Sequence, residues 1–476
     1  MSGWPDRPVI HQINTAVWLD SLSRQERRVV TLGDVPESTW DALCGPGLDA
    51  VWLMGVWERS PLGLELSGRP IGPGAVGSPY CVRRYVVDAA FGGPDGLAAA
   101  RETLARRGVK LVLDHVPNHV APDHPWVAER PELFVRGTPA DLAEAPSEWL
   151  ETPGGVLARG RDPYFPPWPD VVQLDAFSPD LRAATAETLT TIADQCDGIR
   201  CDMAMLPTNG VFARTWHGRT GPAPAAEFWP SILDTVRARQ PGTVFIAEAY
   251  WDMEWTLQHQ GFDFCYDKRL YDRLIGLNPG AVRDHLDADP DYQARLLRFL
   301  ENHDEPRAAS RLPVDAERAA AVVVATLPGA TLWHEGQYEG RRAQAPLFDR
   351  RLPDEQVDVG LAAWHRALRA IAAQVRTGTW EQLEPECWPD NHSGRELLAW
   401  TWSPPVGDRH LVVVNLSPGP AQARLRLPWR HLAGRTHRLA DLLSGTAFDR
   451  EGDELAEQGL YVALEPWGHH VFAITG

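Results

Sequence analysis

Three things are in short supply in these 476 residues. Cysteine occurs six times, at 44, 81, 196, 201, 265 and 387, widely spread and without a CxxC pair. That spacing excludes a disulfide scaffold or a thiolate metal knot, and a chain of this length can bury a core without either. Positive charge is also scarce: 46 Lys plus Arg stand against 64 Asp plus Glu, a net charge of -18, which disfavours nucleic-acid binding through phosphate contacts. Long apolar runs are absent. The longest, such as Ala319 to Leu327, reach about half of what a bilayer crossing requires, so no membrane span is expected. The opening residues, MSGWPDRPVIHQINTAVWLD, carry turn formers and mixed charge in place of a basic patch, an apolar stretch and a small-residue cleavage site. An intracellular, cytoplasmic protein is the expectation.

The apolar fraction, 44%, is that of a globular protein, and the length suggests one large domain with a smaller companion. Up to about residue 335, short strand-like runs alternate with helix-like stretches. The strand candidates are Val9 to Leu19, Ala50 to Met54, Val109 to Asp114, Gly198 to Asp202, Val244 to Glu248, Phe262 to Cys265, Leu296 to Glu301 and Ala330 to His334. Between them, segments such as Gly96 to Arg107, Asp180 to Gln195, Phe228 to Arg239 and Ala316 to Leu327 repeat apolar residues at three and four positions. Eight such repeats predict an α/β fold, a closed (β/α)8 TIM barrel with functional side chains at the C-terminal ends of its strands. The stretch 119–175, rich in Pro, Gly and Trp, is too long for an ordinary loop and is expected to be an inserted domain or lid. After a helical segment at Val357 to Arg376, short strand candidates separated by turns (SPPVGD, SPGP, SGT) predict a C-terminal β-sandwich. The expected division is 1–118 and 176–383 for the barrel, 119–175 for the insert and 384–476 for the sandwich.

Four strand ends finish in polar residues: Asp114 with His115, Arg200 with Asp202, Glu248, and His303 with Asp304. An isolated Asp at a strand end is usually a cap or a surface carboxylate, but four such ends would converge on one barrel mouth. Residues two apart in a strand point to the same side, so Arg200 can hold Asp202 ionised and oriented while Cys201 faces the packed layer. Glu248, in FIAEAYW, sits beside apolar and aromatic neighbours, a setting expected to raise its pKa and let it donate a proton. Two such carboxyl groups, about 5 Å apart, can cleave a glycosidic bond by double displacement with retention. Asp304 would face the positive charge of the transition state, and His115 and His303 would donate hydrogen bonds to sugar oxygens. The 20 tryptophans fit either core filling or stacking platforms for sugar rings.

The segments LVLDHVPNH (111–119), DGIRCDMAM (197–205), FIAEAYW (245–251) and FLENHDEPR (299–307), in that order and at strands three, four, five and seven, resemble the α-amylase family of glycoside hydrolases and transglycosidases (family 13). The resemblance covers nearly the whole chain, including an inserted domain B and the C-terminal sandwich. It implies that Asp202 is the nucleophile, Glu248 the general acid/base and Asp304 the transition-state stabiliser. Arg200, His115 and His303 would support the subsite of the attacked sugar, with Asp114 bracing them. GSPYCVRRY (77–85) resembles the family's second-strand loop, which implies sugar stacking by Tyr80, with Tyr85 structural. Arg307 would reach a substrate hydroxyl or pair with an acidic neighbour. QLDAFSPDLR (173–182) resembles a short stretch that positions the helix after the insert.

The chain departs from the starch-degrading pattern at Met205 and Leu206, where a lysine-histidine pair is usual. This makes a long glucan a less secure substrate. It also weakens the case for calcium, for which Asn118 is the matching residue and Asp162, Asp170 or Asp175 could add hard oxygens. No cofactor is required, and calcium is allowed for. Trp216, in the loop 206–221 with His217 and Arg219, would stack on the leaving group or pack structurally. Glu335, Gln337 and Arg341, after the eighth strand, could close the mouth of the pocket. The expected activity is retaining hydrolysis of short α-glucans or α-glucosides. The alternative is transglycosylation or isomerisation of the trehalose-forming type from the same nucleophile, motivated by a dry acceptor side at Met205, Leu206 and Trp216. A non-catalytic carbohydrate-binding protein would have no need for all three carboxyl groups. The expected partner is an α-linked oligosaccharide or glucoside, with neither nucleic acid nor membrane.

Overall fold

The computed structural model describes residues 3–345, 347–429 and 431–475. Eight parallel strands form a closed barrel: β1 (Val9–Asn14), β2 (Ala50–Met54), β3 (Lys110–His115), β4 (Gly198–Cys201), β5 (Val244–Ala247), β6 (Phe264–Tyr266), β7 (Leu296–Arg298) and β8 (Ala330–His334). Each strand pairs with its neighbours in sequence, and β8 closes on β1 through Val9 opposite Thr331. The twofold alternation of a strand sorts the side chains. Ile10, Ala50, Trp52, Val112, Ile246, Tyr266, Leu297 and Leu332 fill the barrel interior, while Val51, Leu53, Leu113, Ile199 and Cys201 meet the surrounding helices.

Several expected boundaries move. β1 ends at Asn14 rather than Leu19, because the Asn14 side chain accepts a hydrogen bond from Val17 N and caps a helix over Thr15–Glu26. β6 lies later than Phe262 to Cys265, and β7 stops at Arg298, which frees Glu301 to enter a loop. The insert leaves and re-enters the barrel at a two-stranded neck, with His119 opposite Gln173 and Val120 opposite Val172. It has its own small core of Val120, Val127, Leu133, Phe134, Leu157 and Leu174.

The C-terminal unit is two antiparallel sheets packed face to face. The larger runs in the order Thr379–Leu383, Leu397–Ser403, Arg409–Asn415, His469–Thr475, Thr436–Asp441 and Ala447–Glu451; the smaller holds Pro385–Glu386, Ala421–Leu425 and Leu460–Leu464. The larger sheet therefore starts at Thr379, ahead of the expected boundary at 384. The expected strand Tyr461 to Ile474 is two strands, one in each sheet, parted by a turn in which Trp467 takes φ +60°. Helix Val314–Thr326, an Ala- and Val-rich VDAERAAAVVVAT, lies in one core cluster with barrel helices and with Trp400, Trp402, Val412 and Val471 of the larger sheet. Among the described residues no helix is long and apolar enough to cross a membrane.

Candidate active site

The strand register sets the site. Arg200 stands opposite Asp114 on β3, and its side chain points into the barrel, fully buried, between the rings of Trp52, Tyr80 and Tyr266. Tyr266 OH receives its Nε at 3.3 Å. The two remaining nitrogens divide between the expected catalytic pair: Nη1 lies 2.6 Å from Asp202 Oδ1 and Nη2 lies 2.7 Å from Glu248 Oε2. One planar guanidinium thus holds two carboxyl groups side by side. Asp114 lies farther away, 3.6 Å from Nη1, and its other oxygen accepts Gly55 N at 2.9 Å.

Two backbone features carry these carboxyls beyond the strands. Asp202 N donates to His115 O, and Glu248 N donates to Cys201 O, so the ladder pattern continues past each strand end. Met203 then takes φ +42°, a left-handed conformation that is costly for a side-chain-bearing residue. That turn directs Met203 N to Glu248 Oε2 at 2.6 Å. Tyr250 OH donates to the other oxygen, Oε1, at 3.0 Å. On the opposite side, His303 Nε2 meets Tyr80 OH at 2.6 Å and Asp304 Oδ2 at 3.0 Å, and its Nδ1 lies 2.6 Å from Gln12 Nε2.

The charges do not balance. Asp114, Asp202, Glu248 and Asp304 surround a single guanidinium. Burial and the neighbouring carboxyls push Asp202 well above the usual carboxylate range against the pull of Arg200, and the same causes, with Glu248 foremost among the neighbours, push Asp304 to about 7. Burial also lifts Asp114 to about 6. The cluster therefore retains protons at neutral pH, shared among groups that titrate together.

Above the cluster is a cavity of about 390 Å³ lined by Tyr80, Asp202, Glu248, Asp304 and Tyr250, by Asp170, which the sequence offered only as a calcium ligand, and by residues that the sequence did not single out: Arg69, His119, Trp168 and Phe348. Three expected site residues lie elsewhere. Arg307 is buried and spends its guanidinium on Glu301 Oε1 (2.6 Å), Glu335 O and Ala343 O, pinning the loop after β7 to the loop after β8. Trp216 is buried beneath Arg161, 4.9 Å from its ring centre, and lines no part of the cavity. His115 stacks on Tyr85 below the cavity wall, and burial lowers its pKa to about 3. Tyr85 OH hydrogen-bonds Val116 N and Val116 O. Gln337 turns back to accept His334 N; from the loop after β8 it is Leu347 and Phe348, not Glu335, Gln337 or Arg341, that reach the cavity.

Of the oxygens considered for calcium, one each on Asn118, Asp162 and Asp175 is already engaged in hydrogen bonds. Asn118 Oδ1 accepts Gln173 Nε2 at 2.9 Å, and Asn118 Nδ2 donates to Gln173 Oε1 at 3.2 Å, a reciprocal amide pair. Asp162 Oδ1 takes Tyr164 N and Phe165 N, and Asp175 Oδ1 takes Phe177 N. Among the described residues no three His, Cys, Asp or Glu side chains are grouped to hold a metal ion.

The structure is a closed eight-stranded barrel with paired carboxyls at adjacent strand ends. No family model matches the chain. It is 26% identical over 351 residues to the alpha-amylase MalA of Haloarcula japonica, covering 72% of this chain and 45% of that protein. It is 29% identical over 442 residues to the alpha-1,4-glucan:maltose-1-phosphate maltosyltransferase of Rhodospirillum rubrum, covering 85% and 58%. An alpha-glucosidase of Culex pipiens matches at 24% over 444 residues, covering 80% and 70%. The chain thus spans from about half to about two thirds of the length of these relatives. The same fold is seen along 99% of both chains in the maltogenic alpha-amylase AmyB of Thermotoga neapolitana, with a TM-score of 0.71 at 19% identity. These relatives agree with the resemblance of the four strand-end segments to the α-amylase family of glycoside hydrolases and transglycosidases.

Proposed function

We propose that the protein is a retaining α-glycoside hydrolase acting on short α-glucans or α-glucosides. The observation that carries this reading is the single guanidinium of Arg200 shared between Asp202 and Glu248 on the cavity floor. Asp202, held by the shorter of the two contacts, attacks the anomeric carbon as the carboxylate, the proton of the cluster lying on Glu248. The bond to the leaving oxygen breaks as Glu248 delivers to that oxygen a proton retained by the carboxyl cluster. The glycosyl group is then an ester of Asp202, and the leaving group departs with the proton. Water enters on the vacated face and loses a proton to Glu248. Its oxygen attacks the same carbon and frees Asp202, and two inversions restore the α configuration. Asp304, beside His303, faces the positive charge that builds on the ring, and Tyr80 offers its ring to the sugar.

A sugar hydroxyl in place of water gives transfer, the second reading; Met205 and Leu206, where the sequence suggested a dry acceptor side, are buried and line no part of the cavity. The residue roles, a cytoplasmic location and catalysis without calcium all belong to this proposal. Asp202→Asn is expected to lower turnover of aryl α-glucosides by at least ~10⁴-fold with an unchanged circular dichroism spectrum. An unchanged rate would remove Asp202 from its role. Proton NMR of the first product is expected to show the α-anomer, and a first-formed β-anomer would refute double displacement. Product analysis with and without a glucose acceptor separates hydrolysis from transfer.

A further inference from the structure

In a closed ring of eight strands, β5 lies across the barrel from β1, and β1 is flanked by β2 and β8. Glu248 follows β5. On the reading proposed above, the bond to be cut lies at Glu248, so the sugar that stays on the enzyme extends from there across the mouth, toward the side of β1. On that side the loops after β2 and β8 are joined. Val76 N donates to Phe348 O at 3.0 Å, Arg350 N donates to Gly74 O at 3.0 Å, and Ala75 pairs with Asp349 as an antiparallel bridge. The approach is close enough that a Cβ on Gly74 would clash with the Asp349 carboxyl. From this join Ser67, Arg69, Leu347 and Phe348 face the cavity, with the Arg69 guanidinium 4.2 Å from the centre of the Phe348 ring.

The other side differs. Tyr250, beside Glu248, lines both the catalytic cavity and a second hollow of about 530 Å³ bounded by Trp251, Asp252, Lys268 and Arg269. There is room beyond the leaving group and a wall beyond the retained sugar.

We propose that the join between the β2 and β8 loops is an end stop. The site takes α-glucosides by their non-reducing end and excludes the interior of a chain, and Arg69 meets the outermost hydroxyls of the terminal sugar. This rests on the glycosidase reading, and binding can test it without turnover. The probes are 4-nitrophenyl α-maltoheptaoside with a free non-reducing end and the same compound with a cyclic acetal across O4 and O6 of its terminal ring. Calorimetric titration into the Asp202→Asn protein is expected to show binding of the free compound and at least ~100-fold weaker binding of the blocked one. Equal binding of the two, or binding of neither, would overturn the end stop whatever the chemistry. With the unaltered enzyme, the free compound is expected to shorten from its non-reducing end by a fixed unit while the blocked one persists. Internal products from the blocked compound would also overturn it. Turnover of neither, alongside selective binding of the free compound, would refute the glycosidase reading and leave the end stop standing. Arg69→Ala is expected to raise KM about tenfold with kcat held, the signature of lost uniform binding. An unchanged KM would overturn the role given to Arg69.

Discussion

Gln12 carries no charge and is fully buried in the first barrel strand, yet it sets the state of a site histidine. Its amide donates to His303 Nδ1, with Met54 Sδ at 3.5 Å. That bond places the ring proton on Nε2, where it faces Tyr80 and Asp304. Burial, with Arg200 and His334 nearby, lowers the His303 pKa well below the ordinary value, so the ring stays neutral and its tautomer matters. Gln12→Leu is expected to reduce kcat/KM about 10- to 100-fold through kcat, and the ¹⁵N spectrum of histidine-labelled protein is expected to show mixed tautomers at His303. An unaltered spectrum refutes this role.

Asp304 gives a second test at the same scale. Its folded pKa of about 7 lies above the ordinary 3.8, so between these values the folded chain binds more protons than the unfolded one. Its contribution therefore lowers stability as pH rises from about 4 to 7. Asp304→Asn is expected to raise Tm at pH 8, with the gain vanishing below pH 4, while activity is lost. With about a third of the side chain open, the gain should be modest; thermal melts at both pH values read it. Asp202 and Glu248 stand out in the sequence because each puts a charge directly after an apolar strand, whereas Asp304 lies six residues past Arg298 and looks like a strand end only where β7 is expected to run to Glu301. Gln12 does not stand out, being a neutral residue inside an apolar run. The sequence leaves Arg307 and Trp216 each between two roles, and only their partners Glu301 and Arg161 decide for an ion pair and for packing.

Among the elements, the neck of the insert is held by the amide pair of Asn118 and Gln173, and Gln173 Nε2 also reaches Asn118 O and Leu174 O. Removing one partner leaves the other buried and unpaired, so Gln173→Ala is expected to cost about 1–3 kcal/mol, measured by urea unfolding. Dialysis against EDTA is expected to leave Tm and rate unchanged, and a fall in either would show that a metal does the clamping. The eight strands could be counted from the sequence because β-strand runs alternate with helical periodicity. The end of β1 could not be placed, because VIHQINTAVWL is apolar on both sides of Asn14 and only the cap marks the change. Nor could the join of the β2 and β8 loops, which is made by backbone groups of residues more than 270 apart in sequence.

For the whole molecule, barrel and sandwich share one core. Trp402 Nε1 donates to Thr326 O at 2.8 Å, the Arg7 guanidinium covers the Trp402 ring at 4.6 Å, and Arg7 hydrogen-bonds Arg376 O and Gly378 O. Trp402→Ala is expected to cost about 3–5 kcal/mol, and calorimetry is expected to show barrel and sandwich melting in one transition. Two separated transitions would show that they are independent.

The Ala- and Val-rich helix at Val314–Thr326 gives this sharing a consequence in time. Its outer face is covered by strands as late as His469–Thr475, so on the ribosome it waits for about 150 more residues. At about 5–20 residues per second that is roughly 8–30 s with an apolar surface uncovered. The nascent barrel is therefore expected to bind chaperones that shield apolar surface until strand His469–Thr475 has been made.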